Sequence, residues 1–251
     1  MLKEERKDII SKQLQLKKRL TYQKIADYTN VSVDTVRRDL KEMEEEGKLQ
    51  VVRGGATLPN EVANLVQFSK RNVLNTELKR KVAKKALNYI KEGDVVALNS
   101  GTTNVILAQE IANSMENITI VTNNLAAATV LMSQSNLQVI IIGGQTDNKE
   151  FSTYGLDVEK EFMRYHPDIA FLAMNAVDEE FAYSDFRLNE MSVINCLARI
   201  SHQVIAVMDM TKMNTQSQRQ VLPLDAVDKL VTNDLEESIK LQYEKAGVVF
   251  G

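Results

Sequence analysis

Ser32-Val33-Asp34-Thr35-Val36-Arg37-Arg38-Asp39-Leu40 decides how the first part of this chain folds. Ser32 is a strong N-cap, because its hydroxyl accepts from a free backbone N–H at a helix start. Val36, Leu40 and Met43 recur at helical spacing and make one apolar stripe. Thr35, Arg37 and Arg38 fall outside the stripe, in the first turns. A short polar side chain beside two arginines near a helix N-terminus suits the major groove of double-stranded DNA. Arginine can bridge guanine O6 and N7, and its neighbours can hold phosphates.

The flanking residues fit the same reading. Thr21 can cap a short helix from Tyr22 to Tyr28, and Thr29-Asn30-Val31 is the turn between the two helices. A helix, a tight turn and a capped second helix make a helix-turn-helix. Gly47 ends the second helix. Leu49-Gln50-Val51-Val52 reads as a strand, and Arg53-Gly54-Gly55-Ala56 follows as the rest of a wing, with Arg53 placed for a phosphate. The bland alternative is a surface helix with two arginines. Caps, turn and wing agree, which favours DNA. The candidate DNA-binding residues are Thr21, Ser32, Thr35, Arg37, Arg38 and Arg53.

The run Val31 to Leu40, followed by Glu44, Gly47, Leu49 and Gly54-Gly55-Ala56, resembles the N-terminal signature of the DeoR family of bacterial transcription regulators. Arg53 stands where the usual family wing has a histidine, and positive charge is kept.

The chain has 251 residues, one cysteine and no tryptophan. Cys196 has no partner for an internal disulfide and sits in an apolar helical run, as a small core residue. Charged residues follow Met1-Leu2 directly, so no secretory signal is expected. No apolar run approaches the roughly 20 residues of a membrane span, and a cytoplasmic location is expected. Residues 1–85 carry 20 Lys and Arg against 12 Asp and Glu, whereas residues 86–251 carry 11 against 22. A basic head on an acidic body implies that only the head meets a polyanion.

Residues 1–57 read as the winged helix-turn-helix domain, with a supporting helix over 4–18 carrying Ile9, Ile10, Leu14 and Leu16. Residues 58–75 lack clean periodicity and read as a linker, with a short helix from Glu61 to Phe68. Residues 76–251 read as an α/β domain. A helix from Glu77 to Tyr89 is followed by strand-like runs at Asp94–Leu98, Ile118–Thr122, Leu137–Ile142, Ile169–Met174, Val204–Met208, Lys229–Thr232 and Val248–Phe250. Most are continuous rather than alternating, as in a mostly parallel sheet covered on both faces. The order of the strands stays open.

In such sheets ligands bind beyond the carboxyl ends of the strands. There lie Asn99-Ser100-Gly101-Thr102-Thr103, Thr122-Asn123-Asn124, Gly143-Gly144-Gln145, Asp209-Met210-Thr211-Lys212 and Asn233-Asp234. Ser100 to Thr103 leaves a strand and opens a helix. Its glycine, hydroxyls and helix N-terminus make a phosphate-shaped site. A plain helix cap is the alternative, and Lys212 tips the balance by offering a cation from another strand end. Gly143-Gly144 fits either a sharp turn or backbone bared to a ligand.

These stretches, with Asp168 to Leu172, are similar to the C-terminal effector domain of the DeoR family, so the resemblance spans nearly the whole chain. It implies a sensor of phosphorylated sugars related in fold to ribose-5-phosphate isomerase, whose effector alters operator binding and usually relieves repression. It also implies an effector site lined by Ser100, Gly101, Thr102, Thr103, Asn123, Gly143, Gly144 and Lys212. Asn99, at the head of that site, replaces the aspartate common in the family, and Asp178 to Tyr183 lacks a glycine often seen there.

Two other readings stay in view. A sugar-phosphate isomerase or deaminase would need a base near a substrate carbon, and Asp209 and Glu190 qualify by type alone. Alternatively, the α/β domain only oligomerises. Neither histidine, His166 or His202, has metal-ligand spacing. No cofactor is expected. One winged helix reads few base pairs, so a homo-oligomer, dimer or tetramer, is expected on paired half-sites.

Overall fold

The computed structural model describes residues 3–17, 19–46, 48–52, 54–57, 68–180 and 182–251. The chain divides into two compact units, Met1–Val66 and Gln67–Gly251. Arg53 and Gly47 lie outside the described residues, as does the expected helix from Glu61 as far as Gln67.

The first unit runs α1 (Lys3–Lys17), β1 (Arg19–Thr21), α2 (Tyr22–Thr29), α3 (Val33–Glu45), β2 (Gln50–Val52) and β3 (Gly55–Thr57). Ile10, Leu14, Ile25, Val36, Leu40 and Met43 form its core with Leu20, Leu49 and Ala56. The turn between α2 and α3 passes through Asn30 in the left-handed region (φ 51°), which asparagine tolerates better than most residues. The wing hairpin β2–β3 gains a third, unexpected strand: β1 pairs antiparallel with β3. Three residues are too few to show a period in sequence. Gly55 permits the contact, since a Cβ there would lie 1.9 Å from the Leu20 carbonyl oxygen.

The second unit opens with α4 (Phe68–Val73) and α5 (Thr76–Leu87). It continues through β4 (Val95–Leu98), α6 (Thr102–Ser114), β5 (Thr119–Thr122), α7 (Leu125–Leu131) and β6 (Gln138–Ile141). A hairpin of β7 (Gln145–Asp147) and β8 (Ser152–Tyr154) precedes α8 (Leu156–Phe162), β9 (Ile169–Ala173), β10 (Ala176–Asp178) and β11 (Ala182–Asp185). The chain closes with α9 (Met191–Ile200), β12 (Gln203–Val207), β13 (Arg219–Leu222), β14 (Lys229–Val231) and α10 (Glu237–Lys245).

The main sheet has the order β14-β12-β9-β4-β5-β6, and every pairing is parallel. Each face has its own core. One holds Val82, Ala86, Ile106 and Ile111 against Val96, Ile120 and Phe171. The other holds Val158, Phe162, Ile194 and Leu197 against Ala97, Val121 and Leu172. All five residues of β9 are buried, so a central strand reads as a continuous apolar run. The run Val248–Phe250 enters as a single bridge, Phe250 to Leu230. A small antiparallel sheet, β10-β11-β13, has no counterpart in the sequence reading, because its strands are short and partly polar.

Candidate functional site

In the first unit the capping residues do what their type dictates. Thr35 N–H donates to Ser32 Oγ at 3.3 Å, and Lys24 N–H donates to Thr21 Oγ1 at 3.2 Å. Arg37 and Arg38 are exposed. The Arg37 guanidinium lies 5.3 Å from the centre of the Tyr22 ring and 3.3 Å from Asp34 Oδ1. Arg38 Nε donates to the Asp34 carbonyl at 3.4 Å. These contacts hold both arginines against the first turn of α3, with Thr35 half-buried between them and Ser32.

Asp39, Glu42 and Glu46, in α3 and at its C-terminal cap, are turned the other way. Asp39 accepts from Arg6 Nε at 2.7 Å and Nη2 at 3.0 Å. Lys7 donates to Glu46 at 2.6 Å, and Lys3 to Glu42 at 2.7 Å. The basic face of α1 thus neutralises Asp39, Glu42 and Glu46, and the Arg37–Arg38 face stays net positive, two arginines against Asp34. The sequence carried this signal in the helical spacing of Lys3, Arg6 and Lys7 against that of Asp39, Glu42 and Glu46.

In the second unit the segment after β4 is nearly closed to solvent. Asn99 and Ser100 are fully buried, with Thr102 and Thr103 almost so. Asn99 is a tie between strands: its Oδ1 accepts from Ala173 N–H at 2.8 Å and its Nδ2 donates to Ala173 O at 3.2 Å. Ser100 is also committed. Its N–H donates to Glu190 Oε1 at 2.8 Å, while Arg187 Nη1 donates to its carbonyl at 2.7 Å and its hydroxyl at 2.9 Å. What remains for an anion is the start of α6. Gly101 precedes it, no side chain caps it, and Thr102 and Thr103 form its first turn. A helix N-terminus without a cap offers free N–H groups and positive potential.

Asn123 lies beside this turn. It is fully buried and donates to Thr153 O at 2.8 Å and Glu190 Oε2 at 3.1 Å, and its Oδ1 is without a hydrogen-bond partner. Asn124 caps α7 and ties it to α6 by donating to Gly101 O at 3.2 Å. Burial pushes the Glu190 carboxyl up to about 7, against Arg187 and the donors from Ser100 and Asn123, which pull it down. A carboxyl held by two fixed donors is a brace for the turn, and no mobile base is needed to explain it.

A cationic group gathers around the loop after β12. Asp209 caps the short 3-10 turn Met210–Lys212, accepting from Thr211 N–H at 3.0 Å. Lys79, from α5, is buried, and its Nζ donates to Arg71 O and, at 2.8 Å, to Leu74 O. Burial lowers Lys79 to about 8; Asp209 opposes the shift, while Lys212 and Arg71 add to it. Arg71 itself forms a buried ion pair with Glu150 and stacks 5.1 Å from the Phe186 ring. Arg71, Lys79, Glu150 and Arg187 escaped the sequence reading, because a charged residue in an amphipathic stretch looks solvated until the strand order is known.

The strand order separates the expected site residues. Lys212 follows β12 and Gly143 follows β6, with β9, β4 and β5 between them. Four strand spacings of about 4.8 Å come to about 19 Å, more than one monosaccharide phosphate spans. Gly101 to Thr103 follows β4, two strands from the β12 that leads to Lys212 and next to the β5 that leads to Asn123. Gly144 is explained by packing, since a Cβ there would meet Val158 Cγ2 at 2.3 Å. Gly143 faces open space.

A family model described as the DeoR-like helix-turn-helix domain matches residues 6–62, and one described as the DeoR C terminal sensor domain matches residues 74–234. The chain belongs to the DeoR family. This DeoR-family chain is 30% identical to the HTH-type transcriptional repressor GlcR of Bacillus subtilis, over 94% of this chain and 90% of that one. It is 27% identical to the HTH-type transcriptional regulator GolR of Listeria innocua, over 97% and 96%. Among solved structures, ribose 5-phosphate isomerase A from Methanocaldococcus jannaschii aligns with 55% of each chain at 20% identity and a TM-score of 0.41. The relatives are named as transcriptional regulators, and the DeoR-family chain carries the same pairing of helix-turn-helix and sensor domains. Among the described residues no cluster of three His, Cys, Asp or Glu can hold a metal, and no helix is long and apolar enough to cross a membrane.

Proposed function

We propose that this cytoplasmic chain represses an operon of sugar metabolism and leaves its operator when a phosphorylated sugar binds the second unit. Thr35, Arg37 and Arg38 read the operator from α3, and Arg53 of the wing holds a phosphate. The effector's phosphate takes the α6 N-terminus at Gly101, Thr102 and Thr103, with Lys212 supplying charge and Asn123 Oδ1 receiving a sugar hydroxyl. The observation that carries the reading is the uncapped, buried α6 N-terminus after β4, with the Lys79–Lys212 cationic group after β12 two strands along the same sheet, in a unit joined to a helix-turn-helix. Its support from relatives is the repressor named GlcR and a glycerol-3-phosphate regulon repressor of Escherichia coli, 26% identical over 84% of this chain.

A melting screen against phosphorylated sugars tests it. A ligand at 100 times its Kd stabilises the fold by about 2.7 kcal/mol, enough to register as a raised Tm. The same sugar, and not its unphosphorylated form, is expected to release operator DNA. Failure of every phosphorylated sugar to bind points instead to a unit that only oligomerises.

A further inference from the structure

The two ends of the six-stranded sheet are treated differently. Beyond β14 the edge is covered: Leu230 N–H donates to Val249 O at 2.8 Å, and Gly251 N–H to Leu230 O at 3.1 Å. Beyond β6 no strand pairs among the described residues. Gln138 N–H donates to Ile118 O and Ile142 N–H to Thr122 O. By alternation the N–H and C=O groups of Val139 and Ile141 point away from the sheet.

A bare edge is an invitation to pair, and proteins blunt it with lysine, proline or a bulge. β6 reads Gln138-Val139-Ile140-Ile141 and has none of these. From Asn117 to Thr146 there are 30 residues without Asp, Glu, Lys, Arg or His, in a chain that is 26% charged. Thirteen of these residues are exposed, so burial does not explain the missing charge. Ile141 is 39% exposed on the α7 face of the strand, and Met132 at the end of α7 is 58% exposed. On the other face Leu156 and Met163 of the α8 segment are exposed too. The Asp157–Lys160 pair on α8 supplies a polar rim.

The absence of charge selects the occupant. Such a surface offers nothing to nucleic acid or to a highly charged partner, and it is complementary in charge to itself. A two-fold axis brings identical patches together. We propose that two copies of this chain join through β6, edge to edge and antiparallel, making one twelve-stranded sheet with α7 and α8 flanking the seam. Pairing satisfies Val139 and Ile141, and the flanking apolar side chains extend the contact towards the about 800 Å² per partner of a stable interface. The proposal rests on the reading above in one respect: paired half-sites call for paired chains.

Hydrogen exchange on the unmodified full-length protein, at high and low concentration, tests it alongside sedimentation. Val139 and Ile141 amides are expected to be protected in the dimer and to lose protection on dilution into monomer. Ile141→Lys, which puts a charge at the seam, is expected to raise the dimer dissociation constant about 30-fold or more. A dimer whose β6 amides exchange freely, or whose Ile141→Lys variant dissociates like wild type, places the interface elsewhere and leaves operator recognition standing. Concentration-independent protection in a monomer means that another segment of the chain covers β6, and it overturns the proposal. Loss of operator binding by wild type is the separate outcome that fails the regulatory reading.

Discussion

Replacing Gly101 by alanine attacks the turn on which the proposed effector site is built. Gly101 has φ 135° and ψ 149°, a region open to glycine and strained for any L side chain. Its added Cβ would lie 2.8 Å from Ala173 Cβ and 3.2 Å from Arg187 Nη1. Neither neighbour yields easily, because Arg187 is pinned by Asp185, Ser100 and Ala173. Backbone strain of about 1–3 kcal/mol and overpacking of about 1–3 kcal/mol together make about 2–6 kcal/mol. For a unit of this size 1 kcal/mol moves Tm by about 2–4 °C, so a loss of about 4 kcal/mol lowers Tm by about 8–16 °C. Gly93→Ala is the control. Gly93 also has positive φ (88°), but nothing lies within 4 Å of its Cβ position, so only the strain of about 1–2 kcal/mol remains. Scanning calorimetry of both variants is expected to show the sensor transition lowered much further by Gly101→Ala. Equal shifts, or no shift, would refute the packing described around the turn.

Ser32→Ala is expected to cost the first unit about 0.5–2 kcal/mol through loss of the cap, read as a lower Tm for that unit alone. Arg37→Ala and Arg38→Ala are each expected to weaken operator binding by about 1–3 kcal/mol if the lost contact is bidentate to guanine, in titrations that also show a steep loss with salt. Unchanged binding by the double variant would remove α3 from the interface. Glu190 gives a pH signature: with its carboxyl raised from 4.5 to about 7, the folded state keeps a proton that the unfolded chain gives up in that window. Its contribution to stability is therefore fully present below pH 4.5 and declines as pH rises to about 7, by on the order of 3 kcal/mol. Denaturant titrations of Glu190→Gln across the window are expected to lack that decline; a slope equal to wild type's contradicts the assignment.

Much of this was legible because it is local or periodic. The caps at Thr21 and Ser32 need only a hydroxyl before an apolar stripe, and the strands of the parallel sheet show as continuous apolar runs because both faces are covered. β1, β10, β11 and β13 are three or four residues each and are made by their partners, so no period reveals them. The site was legible as a set of loops and less so as roles. Asn99 and Ser100 look like ligand residues by type, yet their polar atoms tie β4 to β9 and to Glu190 and Arg187. Lys79 and Arg71 look like solvated helix residues. Lys79 is buried because α5 lies by the end of β12, and Arg71 because it meets Glu150 and Phe186, partners far away in sequence that no local pattern announces.

On the proposed reading, operator and phosphorylated sugar compete through the two units of one chain. A sugar releases DNA only if it binds the DNA-incompetent arrangement more tightly, and linkage then requires operator to weaken sugar binding by the same factor. Calorimetric titration of the sugar identified by melting, with and without saturating operator, measures that factor directly. Weaker binding is expected in the presence of operator, and for Lys212→Ala a further loss of about 1.5–3 kcal/mol, as for a hydrogen bond to a charged group. A wild-type sugar affinity that operator leaves unchanged would contradict the proposed reading.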